Sequence, residues 1–317
     1  MITGMLDCCD GGRLELPELM EWRLEYTAGV PCDSFSLVCP WTGGGEGELS
    51  KAVGFTAQGE SGTVFRGVVD EFECRTDSGG GRLSLSGRGM AALLLDNEAL
   101  PADYLTATAA DILRDHVEPY GIQVAGAVEL PAVSGFSVTG GSSEWQVLYE
   151  FARYYGDVTP RFDREGRLVL APWADKEALL VDDRVPVTAC AYRERRYGVL
   201  SEVLVRDRAR GAVERVENEP FLALGGRCRR VLTMPGRSNY LAMRYSGGFQ
   251  IRRAQAQRIR LELTVPQAFF AWPGDLVEVA RKDWGHNGRY RVLEAAVEAG
   301  GDGEQTRLTL GEPDGMI

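Results

Sequence analysis

The stretch Trp272-Pro273-Gly274-Asp275-Leu276-Val277-Glu278-Val279, answered by Gly288-Arg289-Tyr290-Arg291-Val292-Leu293, limits what this chain can become more than any other segment. Pro273 fixes a negative φ, and Gly274 after it accepts the positive φ of a type II turn. The strand that follows leads to Asn287-Gly288, a second tight-turn signal. Short strands held by tight turns describe a small antiparallel barrel and not a catalytic cleft.

With 317 residues the chain can bury more than one core, and modules of about 100–150 residues are expected. An apolar content of 44% with 39 glycines describes a folded, turn-rich protein and excludes a disordered or fibrous one. No apolar run approaches the roughly 20 residues that span a bilayer. The first residues lack the basic, apolar and small-residue succession of a signal peptide, so synthesis in a cytoplasm is expected. The seven cysteines (8, 9, 32, 39, 74, 190 and 228) make an odd count with no CxxC spacing, which points to reduced thiols and to no zinc site.

A net charge of −11 argues against a protein that grips nucleic acid with its whole surface. The charge is unevenly spread. Residues 1–100 carry sixteen acids against seven bases, whereas the span from Arg193 to Arg260 holds sixteen of the 35 basic residues. Such regions suit contacts between subunits, where Arg forms bidentate pairs with carboxylates.

Alternation of Trp22, Leu24 and Tyr26, then Phe35 and Leu37, predicts two strands around a Gly29-Val30-Pro31 turn. A loop follows over 42–48, then a hairpin of Val64–Cys74 and Arg82–Ser86, separated by Asp77-Ser78-Gly79-Gly80-Gly81. Four strands by residue 88 predict a first barrel, 1–88. At Met90–Leu95 the pattern becomes helical. Thr108 with Asp111 caps a helix lined by Ala109, Ile112, Leu113 and Val117 and stopped by Pro119 and Gly121. Ser143 with Gln146 predicts another capping box, ahead of Trp145, Leu148, Phe151, Ala152 and Tyr155 at helical spacing. A hairpin of 159–162 and 167–170, turned by Asp163–Gly166, completes an α/β insert over 89–172. Strands at 201–208, 213–217, 230–234 and 258–265, a short helix near 249–257, and strands at 276–280, 290–297 and 306–310 predict a second barrel over 173–317. The fold class expected is α+β, mainly β.

Catalytic groups are sparse. His116 and His286, the only histidines, fall in different expected domains. No nucleophile elbow, HExxH helix or phosphate-binding Gly-Lys-Ser/Thr sequence occurs. Asp70-Glu71 and Asp182-Asp183 are adjacent on strands and point to opposite faces, unlike glycosidase carboxylates that flank one bond. The runs 43–45 and 79–81 lack the strand-to-helix context of a phosphate cradle. Trp145, Phe151, Tyr154 and Tyr155 read as core; Trp41, Trp173, Trp272 and Trp284 suit either assembly contacts or carbohydrate stacking. Arg227-Cys228-Arg229-Arg230 lacks interleaved aromatics and reads as a solvated face or an intersubunit salt bridge. No catalytic, cofactor-binding or metal-binding residue is assigned.

Several segments, taken in order, resemble the baseplate hub proteins of contractile phage tails and related injection systems, including the Mu-like and T4-like hubs. Phe65-Arg66-Gly67-Val68-Val69-Asp70 is similar to the strand "phe-x-gly-x-val" of the family's first tube domain. Gly87–Ala99 resembles its "gly-arg-asp, leucine, asp-x-glu-ala" crossover, with Gly89 in place of the usual acid. Thr108–Val124, Ser143–Leu170 and Trp272–Val292 continue the series.

The resemblance implies two similar tube barrels with an insert between them. Three copies would form a pseudo-sixfold ring that joins a sixfold tail tube to a threefold spike. The implied partners are tube, spike and other baseplate proteins, with a tape-measure protein in the lumen, within a phage virion or tail-like particle. Specific nucleic-acid binding, membrane insertion and cofactors are not implied. Because the chain stops soon after the second barrel, no fused lysozyme or spike is expected. The competing readings are a tail-associated peptidoglycan hydrolase and a carbohydrate-binding tail module.

Overall fold

The computed structural model describes residues 2–28, 32–127, 129–154, 158–256, 258–282 and 284–313. The chain is α+β and mainly β. The expected Gly29-Val30-Pro31 turn and the side chains of Tyr155 and Gln257 lie outside the described residues.

Among the described residues seven strands form by residue 89, three more than the sequence pattern predicts. Thr3–Cys8, Glu21–Thr27, Ser34–Pro40, Ala52–Gly59, Gly62–Asp77 and Gly80–Gly89 make a first set of six, and Arg13–Glu15 pairs on the edge of Thr3–Cys8. Leu179–Asp182, Ala189–Glu194, Ile259–Val265, Leu276–Ala280, Gly288–Gly300 and Gly303–Gly311 make a second set of six. Numbered within its own set, each sheet has the strand order second, third, sixth, fifth, fourth, first. The sets differ at one edge: the first strand pairs antiparallel to the fourth in one set and parallel to it in the other.

The repeat extends to detail. Each fifth strand is bulged where it begins its run along the sixth, at Val69/Glu71 and at Val292/Glu294. Each run ends in a two-residue hairpin, closed by Asp77↔Gly80 in one set and Gly300↔Gly303 in the other. The five-residue separator read from the sequence therefore shrinks to Ser78-Gly79.

Two closed barrels were expected, but among the described residues neither set closes on itself. The second strand of the first set, Glu21–Thr27, pairs along Gly288–Gly300 of the other, from Glu294↔Thr27 to Ala299↔Trp22. One ladder thus runs through both sets, over one core that contains Leu24, Phe35, Phe55 and Leu85 from the first and Leu261, Val277, Val297 and Leu308 from the second. Edge pairing satisfies the backbone groups that closure would otherwise satisfy.

A second core gathers Ile112, Phe136, Trp145, Leu148 and Leu168 with Val203, Val205 and Met243. The expected unit 173–317 is consequently shared between two cores. Its strands Glu202–Asp207, Ala212–Glu217 and Arg229–Thr233 form a separate three-stranded sheet that packs with the insert and not with the ladder. Against this sheet lies the helix Tyr240–Ala256, 17 residues long where a short helix near 249–257 was expected. Gly247 makes the close approach possible: a Cβ there would stand 2.6 Å from Val216 Cγ2 and 3.1 Å from Val205 Cγ2.

The helix Ala109–His116 begins with the expected capping box of Thr108 and Asp111. Ser143 caps Glu144–Ala152 through the amide of Gln146, but the Gln146 side chain donates forward to Glu150, so this end is a simple cap and not a box. The expected loop 42–48 contains the start of a one-turn helix, Glu46–Leu49.

Candidate functional site

Across the joined ladder, alternate residues of each strand divide between two environments. Trp22, Leu24, Tyr26, Phe35, Leu37, Leu83, Leu85, Ala295 and Val297 are buried on one face. The other face is polar. Glu294 and Glu298 continue across the strands into Arg23 and Glu25, then Ser34 and Ser36, Ser84 and Ser86, and finally Glu71 and Glu73. A shallow depression of about 610 Å³ lies over this face, lined by Glu21, Arg23, Ser36, Glu71, Glu73 and Glu298 among others.

Arg23 holds the join between the two sets together. It donates to Glu25 and, 2.9 Å away, to Glu298, which also accepts from Arg307 at 2.6 Å. Ser34 Oγ donates to Glu25 at 2.9 Å. Burial alone would push the Glu25 carboxyl up; the hydrogen bonds from Arg23 and Ser34 outweigh it and hold the group below its ordinary range. The polar face is acidic at one end, Glu71 and Glu73, and basic at the other, where Arg193 stands opposite Arg260. Sequence reading missed this face because serine and glutamate on short strands carry no motif; their period-two spacing was the available signal.

The turn over 272–275 has the expected form. Gly274 takes φ +90°, and the Asp275 amide donates to Trp272 O at 3.0 Å. Trp173 packs so close that a Cβ on Gly274 would stand 2.1 Å from its ring. Arg291, buried, donates to Gly274 O and to Asp175. Phe269 adopts φ +53°, uncommon for a non-glycine residue, and stacks between Trp22 at 5.7 Å and Trp272 at 5.4 Å.

The four scattered tryptophans do not make a platform. Trp173 lies under Arg161, Trp272 under Arg164 and Trp284 under Arg281, and all four are partly buried. Trp145, Phe151 and Tyr154 are buried in the second core, as read from their spacing.

His116 is buried, its Nδ1 2.6 Å from Glu144 Oε2 and its Nε2 3.1 Å from the Tyr104 hydroxyl. Tyr120 donates to the other oxygen of Glu144. Burial, with the Asp115 carboxylate beside it, pushes the Tyr104 phenol up to about 12. The group joins two helices, His116 at the end of Ala109–His116 and Glu144 at the start of Glu144–Ala152. His286 lies far away in sequence and stacks on Tyr192 at 4.1 Å.

Asp70 and Asp96 both accept from Arg88. Asp182 accepts from Arg184, and Asp183 from the Lys282 amide. Arg229 donates to Glu202 and Arg230 to Gln250, so part of the basic run is absorbed within the second core's own surface. Among the described residues no cluster of His, Cys, Asp and Glu could hold a metal ion, and no helix is long and apolar enough to cross a membrane.

No protein-family profile matches the chain, and no curated protein matches it. Solved structures do. A tail protein from Neisseria meningitidis MC58 superposes with a TM-score of 0.80 at 19% identity, over 99% of this chain and 97% of that one. A prophage MuSo2 tail protein from Shewanella oneidensis gives 0.74 at 17% identity, over 99% and 100%. An Escherichia coli type VI secretion component, described as similar to the T4 tail proteins gp27 and gp5, gives 0.59 at 12%, over 92% and 73%. The chain thus shares its fold with phage tail proteins and with a component of the type VI secretion system.

Proposed function

We propose that this protein is a structural component of a phage tail or tail-like injection machine, acting as its baseplate hub. Three copies form a ring of six near-equivalent sheets between a sixfold tube and a threefold spike. The observation that carries the reading is the repeated strand order joined edge to edge within one chain: three copies then present six similar units, which resolves the mismatch between threefold and sixfold partners.

In functional terms the ladder is the ring-forming part, and the second core, with members from Ala91 to Leu170 and from Leu200 to Ile251, is a platform for neighbouring baseplate proteins. The polar face of the ladder lines the lumen. Its acids Glu21, Glu71, Glu73, Glu294 and Glu298 repel a phosphate backbone in transit.

Sedimentation of the purified chain, followed by electron microscopy of the assembled particle, tests the reading. The expected result is a threefold body at the tail axis, between tube and spike. A chain that stays monomeric at all concentrations and clears cell walls in a zymogram would refute it.

A further inference from the structure

Between the ladder and the second core lies a pocket of about 320 Å³ with walls from both. Arg161, Phe162 and Arg164 line it from the hairpin of the second core, and Trp272 and Gly274 from the turn of the ladder. Trp173 and Lys176 belong to the segment that joins the two.

The charge of this pocket is unbalanced. Arg161, Arg164 and Lys176 line it, and none of the three makes an ion pair with a described residue. Arg161, half-buried, donates only to backbone, to Ala171 O and, at 3.4 Å, to Pro172 O. Burial pushes its guanidinium down to about 10, and no carboxylate raises it again. Arg164 and Lys176 are exposed and donate to no described residue. Three carboxylates also line the pocket, but each is engaged elsewhere: Asp163 accepts from Arg167, Asp275 from the Trp272 amide and Asp33 from the Thr27 amide. With its carboxyl pushed up to about 7 by burial, Asp33 is a weak counter-ion at neutral pH.

The tryptophans position the guanidinium groups. Arg161 lies 4.0 Å over the Trp173 ring and Arg164 4.3 Å over that of Trp272. A guanidinium stacked in this way is held flat and keeps its N–H edge for a ligand. The Trp173 indole N–H is itself buried, with no acceptor among the described residues, and a buried donor left without an acceptor is costly.

A half-buried guanidinium without a carboxylate and a buried indole N–H without an acceptor are both satisfied by an anionic oxygen. We propose that this pocket binds a small phosphorylated molecule, its phosphate held by Arg161, Arg164 and Lys176. A carboxylate matches one guanidinium fork, whereas a phosphate brings about two negative charges and three acceptor oxygens, which suits three cations. Ligand pockets span about 300–1,000 Å³, and this one is at the lower end, so the group attached to the phosphate is small. The site lies within one chain and does not depend on the hub reading. Because its walls are divided between the hairpin and the ladder turn, the bound phosphate would clamp one core to the other.

Titration calorimetry and thermal melts of the full chain with inorganic phosphate, pyrophosphate and citrate, at an ionic strength held constant with sodium chloride, test the assignment. One saturable site per chain is expected for phosphate and pyrophosphate, with citrate weaker than either. Arg164→Gln and Lys176→Gln remove exposed side chains that hold no other polar partner, so the fold survives. Each is expected to weaken pyrophosphate by about tenfold, the loss of one charge-assisted contact, while Arg208→Gln, outside the pocket, changes nothing. Added pyrophosphate should protect amides on both walls, at 161–164 and at 274–275. No saturable heat and no rise in melting temperature with either phosphate probe would overturn the site, as would binding that ignores both pocket variants. Citrate binding more tightly than pyrophosphate would overturn the choice of phosphate, and protection on one wall alone would overturn the clamp.

Discussion

Tyr26 offers the sharpest test of whether the two sets of strands share one core. It is buried on the strand that makes the internal join, opposite Ala295 of the other set. Its ring meets Trp272 at 5.0 Å and Phe65 at 6.1 Å, and its hydroxyl donates to Val64 O at 2.8 Å. Val64 is the extra residue where the ladder slips between Ala57↔Phe65 and Gln58↔Thr63, so the phenol serves a carbonyl at a ladder irregularity.

Tyr26→Phe removes that bond alone and should cost about 1–2 kcal/mol. Tyr26→Ala also removes the ring from a packed site, which by itself costs about 3–5 kcal/mol. The sum, about 4–7 kcal/mol, is a large part of a typical folding free energy of about 5–15 kcal/mol. Urea unfolding followed by tryptophan emission gives the magnitude, and amide exchange gives the location. The expected outcome is equal loss of protection at Leu85 in the first set and at Leu308 in the second. A cost for Tyr26→Ala below about 1 kcal/mol, or loss of protection confined to the first set, would refute the shared core.

Burial pushes the Asp33 carboxyl up to about 7, against the hydrogen bond from the Thr27 amide. The folded chain therefore binds the extra proton between the unfolded value and about 7, and stability falls as pH rises through that window; Asp33→Asn should flatten this slope in melts taken from pH 4 to 8. Gly247→Ala would press its methyl on Val216 and Val205, and a loss of about 1–3 kcal/mol is expected in urea unfolding. Burial pushes the Cys39 thiol up to about 11 and Cys32 up to about 12, so at pH 8 an aromatic disulfide reagent should modify exposed Cys9 and Cys190 first and reach Cys39 and Cys32 only on unfolding.

What the sequence made legible was local. Caps at Thr108 and Ser143, the turn at Pro273-Gly274, and the clean alternation from Ile259 to Val265 are decided by residues a few positions apart, and they stand where their spacing puts them. Ala52–Gly59 and Thr3–Cys8 were missed because their pairing depends on partners far along the chain and their glycines dilute the pattern. The 17-residue helix was cut short because Gly247-Gly248 looks like a break, whereas Gly247 is there to let the helix settle on Val205 and Val216. Nothing local tells Val203 or Val205 which core it will join. The repeat itself is invisible in the letters, since Gly87 corresponds to Leu310 and Phe55 to Val277; it exists as strand order and register. The polar face was equally hidden, because Glu71 and Glu298 come together only when the ladder passes from one set to the other.

The backbone passes between the two cores four times: after Gly89, after Leu170, after Glu194 and after Ala256. A body tethered at one point can swivel, but one tethered at four resists torque about any axis. A torque applied to one core of this protein would therefore reach the other as rotation instead of being lost in a slack joint.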